Sequence, residues 1–235
     1  MAESVLRGES LSRRYEGSGL AVLAINEVSF AVQPGEFIVV LGPSGSGKST
    51  LLNLLGGMDR PSGGRLWYKD QELTALNVDK LAAYRRQVVG FIFQFFNLIP
   101  SLTARENVEL SASIVKEHFP VAEALAMVDL AERAHHFPSQ LSGGEQQRIS
   151  IARAIVKKPG LLLADEPTGA LDSHNSIAIV KLLLDMRDRL GCPVIAITHN
   201  PGMAQVADRV FHMKDGRIAD VVENHSPLPV EEMIW

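Results

Sequence analysis

FIVVLGPSGSGKSTLLNLLGG, residues 37–57, runs from an apolar segment of strand length through a glycine-rich turn into a helix-forming segment stopped by glycines. Gly42, Pro43, Ser44, Gly45, Ser46, Gly47, Lys48 and Ser49 fit the spacing G-x-x-x-x-G-K-[ST], with Thr50 continuing into the helix. A strand before and a helix after give the motif its meaning. Glycines let backbone N–H groups close around phosphate oxygens, and the helix start adds partial positive charge. Lys48 is placed to reach the β- and γ-phosphates of a nucleotide, and the Ser49 hydroxyl to bind Mg²⁺.

Such a cation needs an acid from a neighbouring strand. LLLADEP (161–167) supplies Asp165 after four apolar residues, at the end of a strand where α/β sheets bind ligands. Glu166 follows and is a candidate to orient or deprotonate an attacking water. Gln94 closes VVGFIFQ (88–94) and His199 closes PVIAITH (193–199). A glutamine carbonyl suits Mg²⁺ or water and a histidine suits a γ-phosphate, but on spacing alone both also fit solvated strand ends.

A second helix start, LSGGEQQR (141–148), needs its own account. Ser142 and Glu145 fit the capping box S-x-x-E, which a plain helix start would explain. The cap does not require Gly143 and Gly144, each of which costs about 1 kcal/mol in a helix relative to alanine. Bare backbone at a capped helix start is a second anion site, open to close approach. The cradle already surrounds one face of a triphosphate, so the chain holds two half-sites. Two chains in a head-to-tail pair would complete both.

The rest of the chain supports an α/β fold. INEVSFAVQPGE (25–36) and GGRLWYKDQEL (63–73) read as an antiparallel β layer, and VFHMKDGRIADVV (210–222) as a hairpin turning at Asp215-Gly216. From Thr103 to about Arg133 the pattern turns helical, and in VAEALAMVDLAER (121–133) Val121, Ala124, Leu125 and Val128 follow the i, i+3, i+4, i+7 spacing. Ile149, Ala152 and Val156 mark a helix after Gly144, and Ile179, Leu183, Met186 and Leu190 another. Uninterrupted apolar strands joined through helices imply a parallel sheet buried on both faces. One domain over 1–235 is expected, with 1–94 and 160–235 as core and β layer and about 95–159 as an inserted helical subdomain.

Composition bounds the function. Of 235 residues 46% are hydrophobic and 21% charged, with a net charge of −4, so no basic excess points to nucleic acid. The lone Cys192 reads as a small core residue in a reducing compartment. MAESVLRGES lacks the basic start and apolar run of a secretion signal, and no apolar run is long enough to span a bilayer. A soluble chain is expected, with any membrane role borrowed from a partner.

The signature LSGGEQQR, the cradle, LLLADEP and the downstream THN, in that order, resemble the ATP-binding cassette (ABC) ATPases over essentially the whole chain. That resemblance implies a P-loop NTPase core with an antiparallel β layer and a helical subdomain, binding ATP and Mg²⁺. It implies Gln94 as the Q-loop glutamine, His199 as the switch histidine and Glu166 as the base. By the same resemblance, Asp172 in GALD speaks across the dimer and Tyr15 stacks on adenine; unaided, Tyr15 reads as a surface tyrosine. The expected partners are a second copy or a related ATPase, and integral membrane permease subunits at the cytoplasmic face of the bacterial inner membrane. FQFFNLIPSLTARENVEL (93–110) with DEPTGALDS (165–173) resembles the macrolide-exporter and lipoprotein-releasing branch. Phe95 departs from it, since relatives usually carry a small or polar residue there. Phe95, Phe96, Leu98 and Ile99 form an apolar run suited either to receiving a coupling helix or to plain core packing. A mechanical regulator that moves no solute, of the kind that governs cell-wall hydrolases, is the alternative function.

Overall fold

A computed structural model of the chain describes residues 4–16 and 21–235. β1 (Leu6–Tyr15) and β2 (Val22–Val32) pair antiparallel, with Leu6 opposite Val32 and Tyr15 opposite Val22. β3 (Phe37–Leu41), buried at every residue, enters the cradle and α1 (Lys48–Leu55) leaves it. β4 (Gly63–Tyr68) and the short β5 (Gln71–Glu72) precede α2 (Val78–Gln87) and β6 (Val89–Phe93). Next come α3 (Ala104–Ala112), α4 (Val121–Met127) and α5 (Gly143–Ile155). β7 (Leu161–Asp165), α6 (Ser173–Leu190) and β8 (Val194–Thr198) follow, and β9 (Arg209–Lys214) and β10 (Arg217–Glu223) come last.

The strands form two sheets, a four-stranded antiparallel β2-β1-β4-β5 and a six-stranded β10-β9-β3-β8-β7-β6. In the larger sheet β9, β3, β8, β7 and β6 are parallel, and β10 is an antiparallel edge. The apolar alternation within β3 divides two cores. Phe37 and Val39 face the side packed by α3, α4, α5 and α6. Ile38 and Val40 face α1 and the antiparallel layer. Burial on both faces is why these strands read as unbroken apolar runs. Each such side chain contributes about 1.5–3 kcal/mol, so layers on both sides fix where the sheet ends sit.

The helix expected across residues 121–133 stops early. α4 ends at Met127, Asp129 turns left-handed (φ 58°), and residues 131–133 form a separate 3-10 turn. The Leu130 N–H donates to the Leu125 carbonyl at 2.9 Å and the Asp129 N–H to Ala126 at 3.1 Å. That pair of bonds is a Schellman ending, with aspartate where glycine is usual. Val128 and Leu130 are buried, so the apolar spacing that looked like a longer helix serves the ending instead. The hairpin turn at Asp215-Gly216 forms as read, both residues at positive φ (49° and 75°), as a two-residue loop between twisted strands requires. Cys192 is buried in the core beneath α6.

Candidate functional site

Strand register assembles the site. In the order β3, β8, β7, β6, the residue following each strand is Gly42, His199, Glu166 and Gln94. Register pairs Leu41 with Thr198, Asp165 with Ile197, and Phe93 with Asp165, so the four stand in one row along the carboxyl edge of the sheet. This is the edge at which open α/β sheets bind ligands.

The cradle is backbone throughout. Gly45 and Gly47 lie at φ 79° and 100°, and Gly47 heads α1 with no side-chain cap. The first N–H groups of α1 therefore have no intrahelical acceptor and no cap, an arrangement suited to an anion. A Cβ on Gly47 would collide with the Ala24 carbonyl, so β2 sets how tightly the loop closes. The hairpin tip closes it from the other side, with the Gly216 N–H donating to the Ser46 carbonyl at 3.1 Å and the Asn26 N–H to the Gly216 carbonyl at 2.8 Å. Lys48 is buried and bends back, its Nζ donating to the carbonyls of Gly42 (2.8 Å) and Pro43 (3.1 Å). Buried Ser46 Oγ has no partner among the described residues. Together with Val22, Leu23, Ala24, Asp215 and Gly216, the loop lines a cleft of about 580 Å³ that also reaches Glu166.

Burial, then the neighbouring Glu166, push the Asp165 carboxyl above the ordinary 3.8, with Ser49 and Lys48 pulling the other way. Glu166 sits at φ 46°, a left-handed position held by its N–H donating to the Ile197 carbonyl at 2.9 Å. Strain of this kind at a non-glycine residue gathers at functional sites. His199 Nδ1 lies 3.0 Å from Glu166 Oε1, and the His199 backbone N–H donates to Oε2 at 3.3 Å. Gln94 packs on Gly169, where a Cβ would lie 2.8 Å from Nε2. A hydroxyl, a carboxylate and an amide carbonyl beside a phosphate cradle are hard oxygen donors of the kind a divalent cation takes, so Ser49, Asp165 and Gln94 fit Mg²⁺.

The second helix start is built as its capping box requires. Ser142 Oγ accepts from the Glu145 N–H at 3.3 Å, and Glu145 Oε2 accepts from the Ser142 N–H at 2.8 Å. Glu145 also pairs with Arg133 at 3.2 Å, so its carboxylate has partners within the chain on two sides. The two glycines part company. A Cβ on Gly144 would lie 2.5 Å from Asn175 Oδ1, so internal packing requires this glycine. Asn175 is itself held by Asp172, which accepts from its N–H (2.8 Å) and its amide (2.7 Å). A Cβ on Gly143 would meet only ordinary contacts, with Leu171 (3.4 Å) and Phe96 (3.7 Å), so packing within the chain does not require this glycine. None of Ser142, Gly143, Gly144, Glu145 or Asp172 lines the cradle cleft.

Tyr15 stands on β1 opposite Val22, at the rim of the cleft. Its hydroxyl donates to Asp59 at 2.7 Å, and the Arg13 guanidinium lies 4.5 Å from its ring. The apolar run after Gln94 divides in two. Phe95 and Ile99 are exposed, while Phe96 and Leu98 are half-buried, Leu98 against the core. Phe95 and Ile99 are thus its most exposed members. Val22, Leu23, Ala24 and the hairpin tip escaped the sequence reading as cleft-lining residues. Their one signal is Gly216 itself, where a Cβ would lie 2.8 Å from the Ala24 carbonyl.

The fold and the site define a P-loop nucleotide-binding protein, with cradle, candidate cation ligands and candidate base on one sheet edge. Residues 25–169 match the family model described as ABC transporter. The chain belongs to the ABC transporter family and is one of its ATPase cassettes. It is 45% identical over 221 residues to the lipoprotein-releasing system ATP-binding protein LolD of Idiomarina loihiensis, covering 92% of this chain and 97% of that protein. It is also 45% identical over 223 residues to the macrolide export ATP-binding/permease protein MacB of Wolinella succinogenes, covering 93% of this chain but 34% of the relative. The chain thus spans about a third of MacB and nearly all of LolD. Among solved structures, the dimeric post-hydrolysis state of the ATP-binding cassette MJ0796 bound to ADP and Pi superposes with a TM-score of 0.85 at 37% identity, covering 93% of this chain and 98% of that one. Among the described residues no helix is long and apolar enough to cross a membrane.

Proposed function

We propose that the chain is the ATP-hydrolysing subunit of a bacterial membrane complex of the lipoprotein-release or macrolide-export kind. It works as a two-fold pair, bound to integral membrane subunits at the cytoplasmic face of the inner membrane. The observation that carries this reading is the separation of two anion-binding helix starts in one chain. The cleft around Lys48 contains no residue of 142–145, so each triphosphate is enclosed only when a second chain brings its Ser142 and Gly143. In the same reading residues about 95–159 form a helical arm on a core of 1–94 and 160–235, and Asp172 lies at the seam between the two chains.

The residues divide the work. Lys48, released from the Gly42 and Pro43 carbonyls, neutralises phosphate charge while the loop N–H groups hold the oxygens. Mg²⁺, held by Ser49, Asp165 and Gln94, would add positive charge where the leaving phosphate develops negative charge. Glu166 takes the proton of the attacking water, and His199 fixes which carboxylate oxygen faces it. Tyr15 offers its ring to the base. Phe95 and Ile99, exposed just beyond Gln94, meet the membrane subunit.

The test is to express tagged Glu166→Gln in native membranes, extract with Mg-ATP present, and identify what co-purifies. Recovery of integral membrane proteins, lost when Phe95 is changed to serine, supports the reading. Recovery of the ATPase alone under conditions that keep nucleotide bound contradicts it.

A further inference from the structure

The loop after Gln94 carries two consecutive non-glycine residues in the left-handed region, Phe96 (φ 58°) and Asn97 (φ 50°). Isolated residues visit that region uncommonly, and two in succession need something outside the turn to hold them. The holder is on another element. Arg153, in the last turn of α5, donates through Nη2 to the Phe96 carbonyl at 2.8 Å and through Nη1 to the Asn97 carbonyl. A guanidinium presents two parallel donors in a rigid fork, which suits adjacent carbonyls turned to one side. Farther along the loop, buried Asn107 accepts from the Ile99 N–H at 2.8 Å and donates to the carbonyls of Ile99, Leu102 and Thr103. From residue 96 to 103 the loop is thus tied to the helices, and Gln94 stands just before the tied segment. The turn also reaches the start of the same α5, because a Cβ added to Gly143 would come within 3.7 Å of the Phe96 ring.

We propose that Arg153 is a positioning residue for ATP hydrolysis, holding the Phe96–Asn97 turn so that Gln94 keeps its place on the row of strand ends and the Phe96 ring stays beside Gly143. The proposal rests on the functional reading above. In the pair of chains, Gln94 serves its own chain's nucleotide and Gly143 the partner's. The clamped turn therefore joins the two sites through one arginine and one aromatic ring.

The experiment uses the full chain with Mg-ATP and measures kcat, KM, the Hill coefficient for ATP and the thermal midpoint. Arg153→Met is expected to lower kcat by about 10- to 100-fold, the scale on which small displacements of a reacting group act. KM is expected to stay within about twofold, because the cradle is untouched, and the Hill coefficient to fall toward one. Arg153→Lys is expected to behave like Arg153→Met, since one ammonium cannot fork two carbonyls. Adding Asn97→Gly to Arg153→Met is expected to recover much of kcat, because glycine adopts positive φ unaided. Asn97→Val, on an exposed turn where misfolding is not at issue, is expected to reproduce the kcat loss with Arg153 intact. Wild-type kcat in Arg153→Met or in Asn97→Val overturns the proposal. So does a kcat loss that tracks the thermal midpoint and is not relieved by Asn97→Gly. Glu166→Gln in the same assay tests the underlying reading separately, because wild-type turnover there defeats the site assignment whatever Arg153 does.

Discussion

His199 and Glu166 grip each other twice, through Nδ1 to Oε1 at 3.0 Å and through the His199 N–H to Oε2 at 3.3 Å. The histidine side chain is 69% exposed and the glutamate 16%, so the pair stands at the mouth of the site with the acid inside. Glu166→Gln keeps the shape and removes the proton acceptor. Turnover is expected to fall by about 10²- to 10⁴-fold while ATP still binds. His199→Ala is expected to lower turnover less, because the backbone N–H still fixes one carboxylate oxygen. Steady-state hydrolysis alongside equilibrium nucleotide binding checks both.

Lys48 satisfies its ammonium on two loop carbonyls, and nucleotide must draw it away. Lys48→Ala removes a charge-assisted partner of the phosphates, worth about 1.5–3 kcal/mol. ATP affinity is expected to weaken by about 10- to 100-fold by that measure. Titration calorimetry reads it directly.

Gly143 and Gly144 are neighbours with opposite requirements. Gly144→Ala drives a Cβ into Asn175 and is expected to cost about 1–3 kcal/mol of stability. Gly143→Ala meets no such obstacle and is expected to gain up to about 1 kcal/mol from helix propensity. Urea unfolding of the two single variants separates them.

Lys157 is half-buried, with Nζ donating to the carbonyls of Val89 (2.8 Å) and Arg85 (3.3 Å), and burial draws its pKa from 10.5 down to about 8. Below pH 8 both the folded and unfolded chains hold this proton. Between about 8 and 10.5 the unfolded chain holds more of it, so this group makes stability rise with pH. Buried Cys192 works in the opposite sense at higher pH, its thiol being pushed from 9.0 up to about 11. Unfolding midpoints between pH 8 and 9 are therefore expected to rise in the wild type more steeply than in Lys157→Met.

Local pattern carried the sequence reading a long way. The strand, glycine loop and helix around Lys48 declare themselves through residue type and spacing, as does the acidic pair Asp165-Glu166 at the end of β7. Gln94 and His199 read on spacing alone as strand ends and take roles only through the resemblance to ABC ATPases. What escaped it depends on parts distant in sequence. The closure of the cradle by Ala24 and Gly216 and the grip of Arg153 on Phe96 and Asn97 come from elements that tertiary packing brings together. The commitment of Glu145 to Arg133 is of the same kind, since a capping box gives no hint of a third partner. Gly144 is another such case. Its bareness is required by the packing of Asn175, which no spacing in the sequence announces.

The central claim is that one chain holds only half of each nucleotide site and that Gly143 closes the other half in trans. Light scattering of Glu166→Gln with saturating Mg-ATP measures this most directly. The account predicts a mass that doubles on adding nucleotide, and a mass that stays single when Gly143→Trp is added to a chain that still binds ATP. A Glu166→Gln chain that binds ATP yet remains single, or a Gly143→Trp chain that pairs as before, would contradict it.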